Sequence, residues 1–308
     1  MRLHSRALLA VTEFALVAIT TLAAQGTTFQ FYVAASNPSG APTTDLRNED
    51  ILMSENGVQQ QVVKVEAISI PVKLTIAVDN GVDSGDALAH YRTGLTGLVE
   101  ALPPDVEVTL ITIAPQPRVV VKSTDRTQII RGINGFAPEQ ARPRFTDTIV
   151  EYSKELERES KNKNAKPYVP IMVMLSTAAN ESSSYQPKEI EKAVGFLVTR
   201  KARLNVVMMS TRTGQATSVE TLNSQLQAIV AIPAVKMTNG RYEALAVSSR
   251  VATLLPEWGK DLAALHTRQA NQFRVTVERK TGGPLQSPRI EIARQGLAGT
   301  VSIDGYLP

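Results

Sequence analysis

The 308-residue chain predicts an α/β fold: a doubly wound, mostly parallel sheet with a small accessory β domain assembled from its N- and C-terminal segments. Two observations carry that expectation. Across residues 70–268, apolar runs rich in Val, Ile and Met ("VKLTIAV", "VEVTLITIA", "YVPIMVMLS", "LNVVMMS") alternate with amphipathic helical stretches. That is the pattern of strands buried on both faces and joined by right-handed crossovers. On either side, at 25–69 and 269–308, shorter segments alternate apolar and polar residues between turn clusters, as hairpin strands do.

The first 24 residues read as a signal peptide or an uncleaved signal anchor. Arg2, His4 and Arg6 precede the largely apolar "ALLAVTEFALVAITTLAA", and Thr21 with Ala23, or Leu22 with Ala24, offers cleavage positions before Gln25. Glu13 interrupts that run, and an acid at a bilayer centre costs roughly 3 kcal/mol. The expected location is therefore outside the cytoplasm: periplasm, outer surface or medium. Contact with a membrane is expected only through an uncleaved anchor.

In the segment 25–69, "FQFYVAA", the turn cluster "NPSGAP", "DILMSEN", a tight "NG" turn and "QQQVVKVEAI" describe hairpins too short for a core of their own. Within 70–268, Leu88, Tyr91, Leu95, Leu98, Val99 and Leu102 recur at helical spacing. "TDTIVEYSKELERESKNK" and "PKEIEKAVGFLVTRK" show similar stripes with charged outer faces, and helices stop at "LPPD" and "VTRKAR". The end of the chain returns to short strands, "FRVTVER", "RIEIARQ" and "TVSIDGY", separated by "TGGP" and "GLAG".

Composition narrows the function classes. At 43% apolar and 20% charged residues the chain is globular. A net charge of +4 with only 5% aromatic residues gives no nucleic-acid footprint. Cysteine is absent, which excludes disulfides, thiol catalysis and thiolate metal sites. No G-x-S-x-G, G-x-x-x-x-G-K-[ST], H-E-x-x-H or post-strand G-x-G-x-x-G motif occurs. His90 and His266, the histidines beyond the leader, fall in helical stretches and read as surface or packing residues. An enzyme is not expected.

The stretch with the most chemistry is "KLTIAVDNGVDSG". A buried strand stops at Asp79, with Gly81 and Asp83 following, and in open α/β folds ligands sit at such strand ends. The loops 80–83, 145–148 and 177–184 should converge there.

The segment 25–308 resembles the bacterial exported proteins described as VWFA-related domain proteins. The matching words are "FQFYVAA", "GAPTTDLRNEDILMSENGVQQQVVKV", "VKLTIAVD", "QFRVTV" and "IDGYLP". The resemblance implies a von Willebrand factor A core and an adhesion or protein-binding role. In metal-binding members a D-x-S-x-S strand end, a loop threonine and an S-D-G-x-D strand end hold magnesium. Carried over by position, Asp79 keeps the first acid, Gly81 and Asp83 stand at the hydroxyl positions, and Thr146 of "RFTDT" stands for the loop threonine. In "STAAN", Ser176 is kept while Thr177 and Asn180 replace the acids.

Two readings follow. Asp79, Asp83 and Asp147, with Thr146 and Ser176, offer oxygens for a rearranged magnesium or calcium site, with Asp79, Asp83 and Thr146 as the inner ligands. Alternatively, Asp79 accepts backbone N–H groups and Asp83 caps a helix beginning near Ser84, leaving a degenerate, metal-free site. The second accounts for Asp83 without an ion, and no cofactor is then expected. The partner would be a protein or an envelope polymer, met by polar loops including the one that carries Tyr185. A divalent-cation-dependent adhesion module is the alternative, and an envelope hydrolase the third.

Overall fold

The computed structural model describes residues 27–210, 218–280 and 282–307; the expected signal segment lies outside them. The elements in chain order are β1 (Thr27–Ser36), β2 (Ile51–Glu55), β3 (Val58–Ile68), β4 (Val72–Val78), α1 (Leu88–Ala101), β5 (Glu107–Thr112), β6 (Arg118–Ser123), α2 (Arg126–Gly135) and α3 (Phe145–Ser160). They continue with β7 (Val169–Thr177), α4 (Pro187–Thr199), β8 (Arg203–Met209), α5 (Ser218–Met237), β9 (Tyr242–Leu245), α6 (Val251–Ala270), β10 (Gln272–Arg279), β11 (Pro288–Ile292) and β12 (Ala298–Ser302). The described residues divide into two compact units, 27–67 with 273–305, and 68–272 with 306–307.

The first unit is a six-stranded sheet in the order β11-β2-β3-β10-β1-β12. The "NG" turn forms as its chemistry predicts. Asn56 and Gly57 take φ values of 49° and 78°, and Glu55 pairs with Val58 across a two-residue hairpin. Phe31, Val33, Ile51, Met53, Val275 and Val277 make the core. Within this apolar setting Arg279 grips Glu55 with both arms, Nη2 to Oε1 at 2.6 Å and Nε to Oε2 at 2.9 Å. Both side chains are buried, the geometry in which losing one partner leaves a stranded charge.

The second unit carries a sheet in the order β6-β5-β4-β7-β8-β9. All neighbours run parallel except β6, which is antiparallel to β5. This is a doubly wound order, with strands added outward on both sides of a central pair, so its switch point falls between β4 and β7. One face packs Leu74, Ile76 and Val78 on residues of α1, α2 and α6; the other packs Ala77, Met172 and Met174 on α3, α4 and α5. β7 is buried along its whole length, as its unbroken apolar run requires.

The expectation of strands buried on both faces fails at one edge. In β5 the exposure alternates through Glu107, Val108, Thr109 and Leu110, and β6, which the sequence pattern did not single out, leaves Val119 62% exposed. Glu107 and Thr109 help line a groove beside α3 instead of lying beneath a helix, while Ile111 joins the core cluster that holds α3. His266 is a packing residue. It is buried on α6, its Nδ1 accepts from Val72 N at 3.2 Å, and its Nε2 lies 3.0 Å from Asp105 Oδ2. The ring thus ties α6 to the start of β4 through Nδ1 and to the turn before β5 through Nε2.

Candidate functional site

The switch point places Asp79, one residue past β4, beside Ser176 and Thr177 at the end of β7. Backbone pairing continues there, with Asp79 N donating to Leu175 O at 2.8 Å. The Asp79 carboxylate is fully buried and turned onto donors. Oδ1 accepts from Gly81 N at 2.8 Å, and Oδ2 accepts from Thr177 Oγ1 at 2.8 Å and Thr177 N at 3.2 Å. Burial pushes this carboxyl above its ordinary value, and the hydrogen bonds only partly oppose it. Ser176 Oγ donates to Gln227 Oε1 at 2.9 Å, and Gln227 Nε2 donates to Ala179 O at 2.9 Å, so α5 pins the loop leaving β7.

The segment 137–143 closes over the same strand end. Val82 N donates to Ala141 O at 3.0 Å, Glu139 N to Asn80 O at 2.7 Å, and Asn80 Nδ2 to Ala137 O at 2.8 Å. A Cβ on Gly81 would stand 2.6 Å from Ala141 O and 3.2 Å from Pro143 Cδ. The absence of a side chain at position 81 is what lets this strap lie down.

Asp83 corrects an expectation. It is exposed in the first turn of a short 3-10 helix, Val82–Ala87, whose N-cap is Gly81 and which has no side-chain cap; α1 begins after Ala87, again without one. The 3-10 turn inserted ahead of α1 removes Asp83 from any capping position.

Thr146 and Asp147 open α3, and here a second buried cluster forms. The N-cap of α3, Arg144, supplies no side-chain cap, so the first N–H groups of the helix need partners from elsewhere. The loop 181–185 provides them. Glu181 Oε2 accepts from Thr146 N at 3.0 Å and Oε1 from Thr146 Oγ1 at 3.2 Å. Ser183 Oγ lies 3.1 Å from Thr146 N and 3.2 Å from Asp147 N, and donates to Glu181 Oε2 at 2.8 Å.

Asp147 reciprocates. Its Oδ1 accepts from Ser184 N at 2.8 Å and Tyr185 N at 3.0 Å, and its Oδ2 from Arg144 Nη1 at 3.0 Å and Ser184 Oγ at 3.1 Å. Burial works against the Asp147 charge, but the two backbone N–H groups and Arg144 outweigh it, and the carboxyl sits below its ordinary value. Glu181 is pushed up by burial, against the pull of Ser183 and Thr146. The Tyr185 hydroxyl meets Glu151 and Lys154, whose Nζ lies 4.1 Å from the ring centre. Asn180 is half-buried and its Oδ1 has no partner.

The predicted residues therefore fall into two groups. Asp79, Gly81, Ser176 and Thr177 share the closed switch point, Thr146, Asp147 and Tyr185 share the α3 cap, and Asp83 stands outside both. Sequence reasoning missed Glu181, Ser183, Ser184, Gln227 and the strap 137–143. The one legible signal was Glu181, the single acid of the loop 178–186.

The resemblance implies a magnesium site, which asks for about six oxygens with lone pairs facing the ion. The residues present do not fit it. Both oxygens of Asp79 face N–H and O–H donors, position 81 has no room for a hydroxyl, and Asp83 is exposed in the 3-10 turn. Among the described residues no three His, Cys, Asp or Glu side chains gather as a metal cluster.

No protein-family model matches the chain. No curated protein matches it either. Among solved structures it is similar to a von Willebrand factor type A protein from Catenulispora acidiphila, at 9% identity and a TM-score of 0.48, covering 89% of this chain and 72% of that one. An aerotolerance-related membrane protein from Bacteroides fragilis gives 12% identity and a TM-score of 0.42 over 62% of this chain and 99% of that one. The SpRpn10 VWA domain gives 10% and 0.42, over 60% and 95%. On its own strand order the second unit has a doubly wound, mostly parallel α/β fold, the fold that the sequence resemblance to von Willebrand factor A proteins implies.

Proposed function

We propose that the chain is an exported, non-enzymatic binding module that engages a protein or an envelope polymer without a bound metal ion. The observation that carries this reading is the contrast at the carboxyl end of the sheet. The Asp79 carboxylate is enclosed and satisfied from within, while the loop 181–185 is braced by Asp147 and presents exposed Ser182, Ser184 and neighbouring Gln186. A polar loop held in one conformation loses less freedom on binding than a mobile one. Against an enzyme stand the structural use of His266 and the engagement of Asp79, Asp147 and Glu181 by internal donors. For export, the support is the sequence of residues 1–24; among the described residues no helix is long and apolar enough to cross a membrane. No observation favours the cation-dependent alternative.

Thermal unfolding with chelator, then with millimolar Mg²⁺, Ca²⁺ or Mn²⁺, tests the metal-free part. A folded-state ion at a hundred times its Kd stabilises by about 2.7 kcal/mol, so the expected result is an unchanged Tm. A rise abolished by Asp79→Asn would establish the cation-dependent reading. Capture of the partner from a cognate envelope extract should proceed equally in chelator and in magnesium, and a requirement for magnesium would count equally against the proposal.

A further inference from the structure

α5 departs from the rule that the outer face of a surface helix is charged. Its inner face over 227–237 buries Gln227, Ala231, Ala234 and Val235, as expected. Its outer face is apolar too: Ile229 is 60% exposed, Ile232 49% and Met237 55%, and Pro233 is exposed beside them. Lys236 is the one charged residue of that stretch. The outer face of α4, by contrast, carries Lys188, Glu189, Glu191 and Lys192. A helix apolar all round is normally covered on both sides, and exposed apolar patches of this kind mark interaction sites.

Beside that face runs a groove of about 560 Å³. Ile190 and Val194 of α4 form one wall, and Ile229, Pro233 and Met237 of α5 the other. Its charged lining, among the described residues, consists of Glu181 and Glu191, with no cation; Lys188, Lys192 and Lys236 lie outside the lining. The groove is therefore apolar along its walls and negative in its charged lining. Glu181 is fixed there by Thr146 and Ser183, while Glu191 is exposed on α4.

We propose that the groove between α4 and α5 is the docking site for a basic amphipathic segment of a partner protein. The apolar face of the segment would cover Ile229, Ile232, Pro233 and Met237, and a Lys or Arg side chain would reach Glu191 with Glu181 behind it. Apolar anchors at helical spacing seated in a groove are a recurrent way of binding a helix, and the exposed acid Glu191 selects for charge. The inference rests on the reading of the chain as a binding module and names the surface and the partner chemistry.

The probe is a fluorescent peptide of about four helical turns, with a Leu face flanked by Lys, set against a counterpart in which every Lys is Glu. The full chain should bind the Lys peptide at least about tenfold more tightly, since one well-placed interface group is worth that much. The exposed double variant Ile229→Ser/Ile232→Ser should lose about as much affinity while keeping its Tm. Glu191→Lys should reverse the preference between peptides.

Equal affinity for the two peptides, or unchanged binding by the double variant, overturns the proposal. Concentration-dependent self-association that the double variant abolishes, with neither peptide bound, assigns the face to a second copy of the chain and overturns it too. None of these outcomes alters the chelator test of the metal-free reading, so the two fail separately.

Discussion

Asp79 and Asp147 lie in the same unit near the carboxyl end of one sheet, 0% and 3% exposed, yet their charges are handled in opposite ways. Asp147 receives two backbone N–H groups, a hydroxyl and the Arg144 guanidinium, and its carboxyl is held below the ordinary value. Among the described residues Asp79 receives N–H and O–H donors and no cationic side chain, and burial holds it above. Burial alone therefore does not decide what an acid does; the partner set does. Asp147 is a charged brace that ties the 181–185 loop to α3. Asp79 is a polar plug that joins β4 to β7, its charged form disfavoured by burial.

The largest effect that sharpens this comparison comes from Asp147→Ala. The variant strands Arg144 and orphans the N–H groups of Ser184 and Tyr185, and breaking a buried pair costs about 3–5 kcal/mol. Arg144 is itself 35% exposed, so water recovers part of that loss, and about 2–3 kcal/mol is expected in urea denaturation. A loss under about 1 kcal/mol would mean that Asp147 is not the brace of this loop.

Next in size is Gly81→Ser, which restores a hydroxyl at the position where the family pattern has one. Its Cβ meets Ala141 O at 2.6 Å, and backbone does not yield as a flexible side chain would, so about 1–3 kcal/mol of destabilisation is expected. The strap 137–143 should show faster amide exchange, and the Tm should stay insensitive to magnesium. A variant as stable as wild type, with a magnesium-dependent rise in Tm, would break the comparison by making the Asp79 end a cation site one substitution away.

Legibility differed between fold and site for physical reasons. β7 and β8 were readable because burial on both faces leaves an unbroken apolar run, and the Asn56-Gly57 hairpin because its dihedral angles demand those residues. β6 was not, since an exposed antiparallel edge has no obligation to alternate. Over 227–237 α5 lacks a helical stripe because both of its faces are largely apolar.

At the site, Asp79 announced itself by ending a buried strand. Asp83 misled because a 3-10 turn precedes α1, and nothing in "NGVDSGDA" separates that turn from an α-helical start. Glu181 was legible as the single acid of its loop, but its role was silent because it caps a helix whose first turn lies 35 residues earlier in the chain. Local propensity describes caps made by neighbours in sequence and leaves no trace of one supplied by a distant loop. The strap is likewise a tertiary event, and Gly81 was read as a lost ligand when its place in the structure is to give room to a carbonyl.

The smallest effect discriminates most finely. Asp79→Asn keeps the shape, loses about one hydrogen bond because an amide NH₂ now faces Thr177 N, and removes a charge that burial disfavours. The two changes oppose each other, and a net change within about 1 kcal/mol is expected at pH 7. Its sign with pH is what matters. The folded Asp79 carboxyl lies above its ordinary 3.8, so the folded state holds the proton more tightly than the unfolded chain does. The stability this gives wild type over the Asn variant is complete below the unfolded pKa and is lost as pH rises through the folded one.

Asp147 runs the other way. Its folded carboxyl lies below 3.8, so its contribution is complete above the unfolded pKa and lost as pH falls through the folded one. Urea midpoints of wild type, Asp79→Asn and Asp147→Asn, taken from acid to neutral pH, should therefore give wild-type-minus-variant differences of opposite slope. Parallel slopes would mean that Asp79 shares the charged state of Asp147. A cation would then have to be sought at the end of β4, and the closed switch point would have to be read as a site.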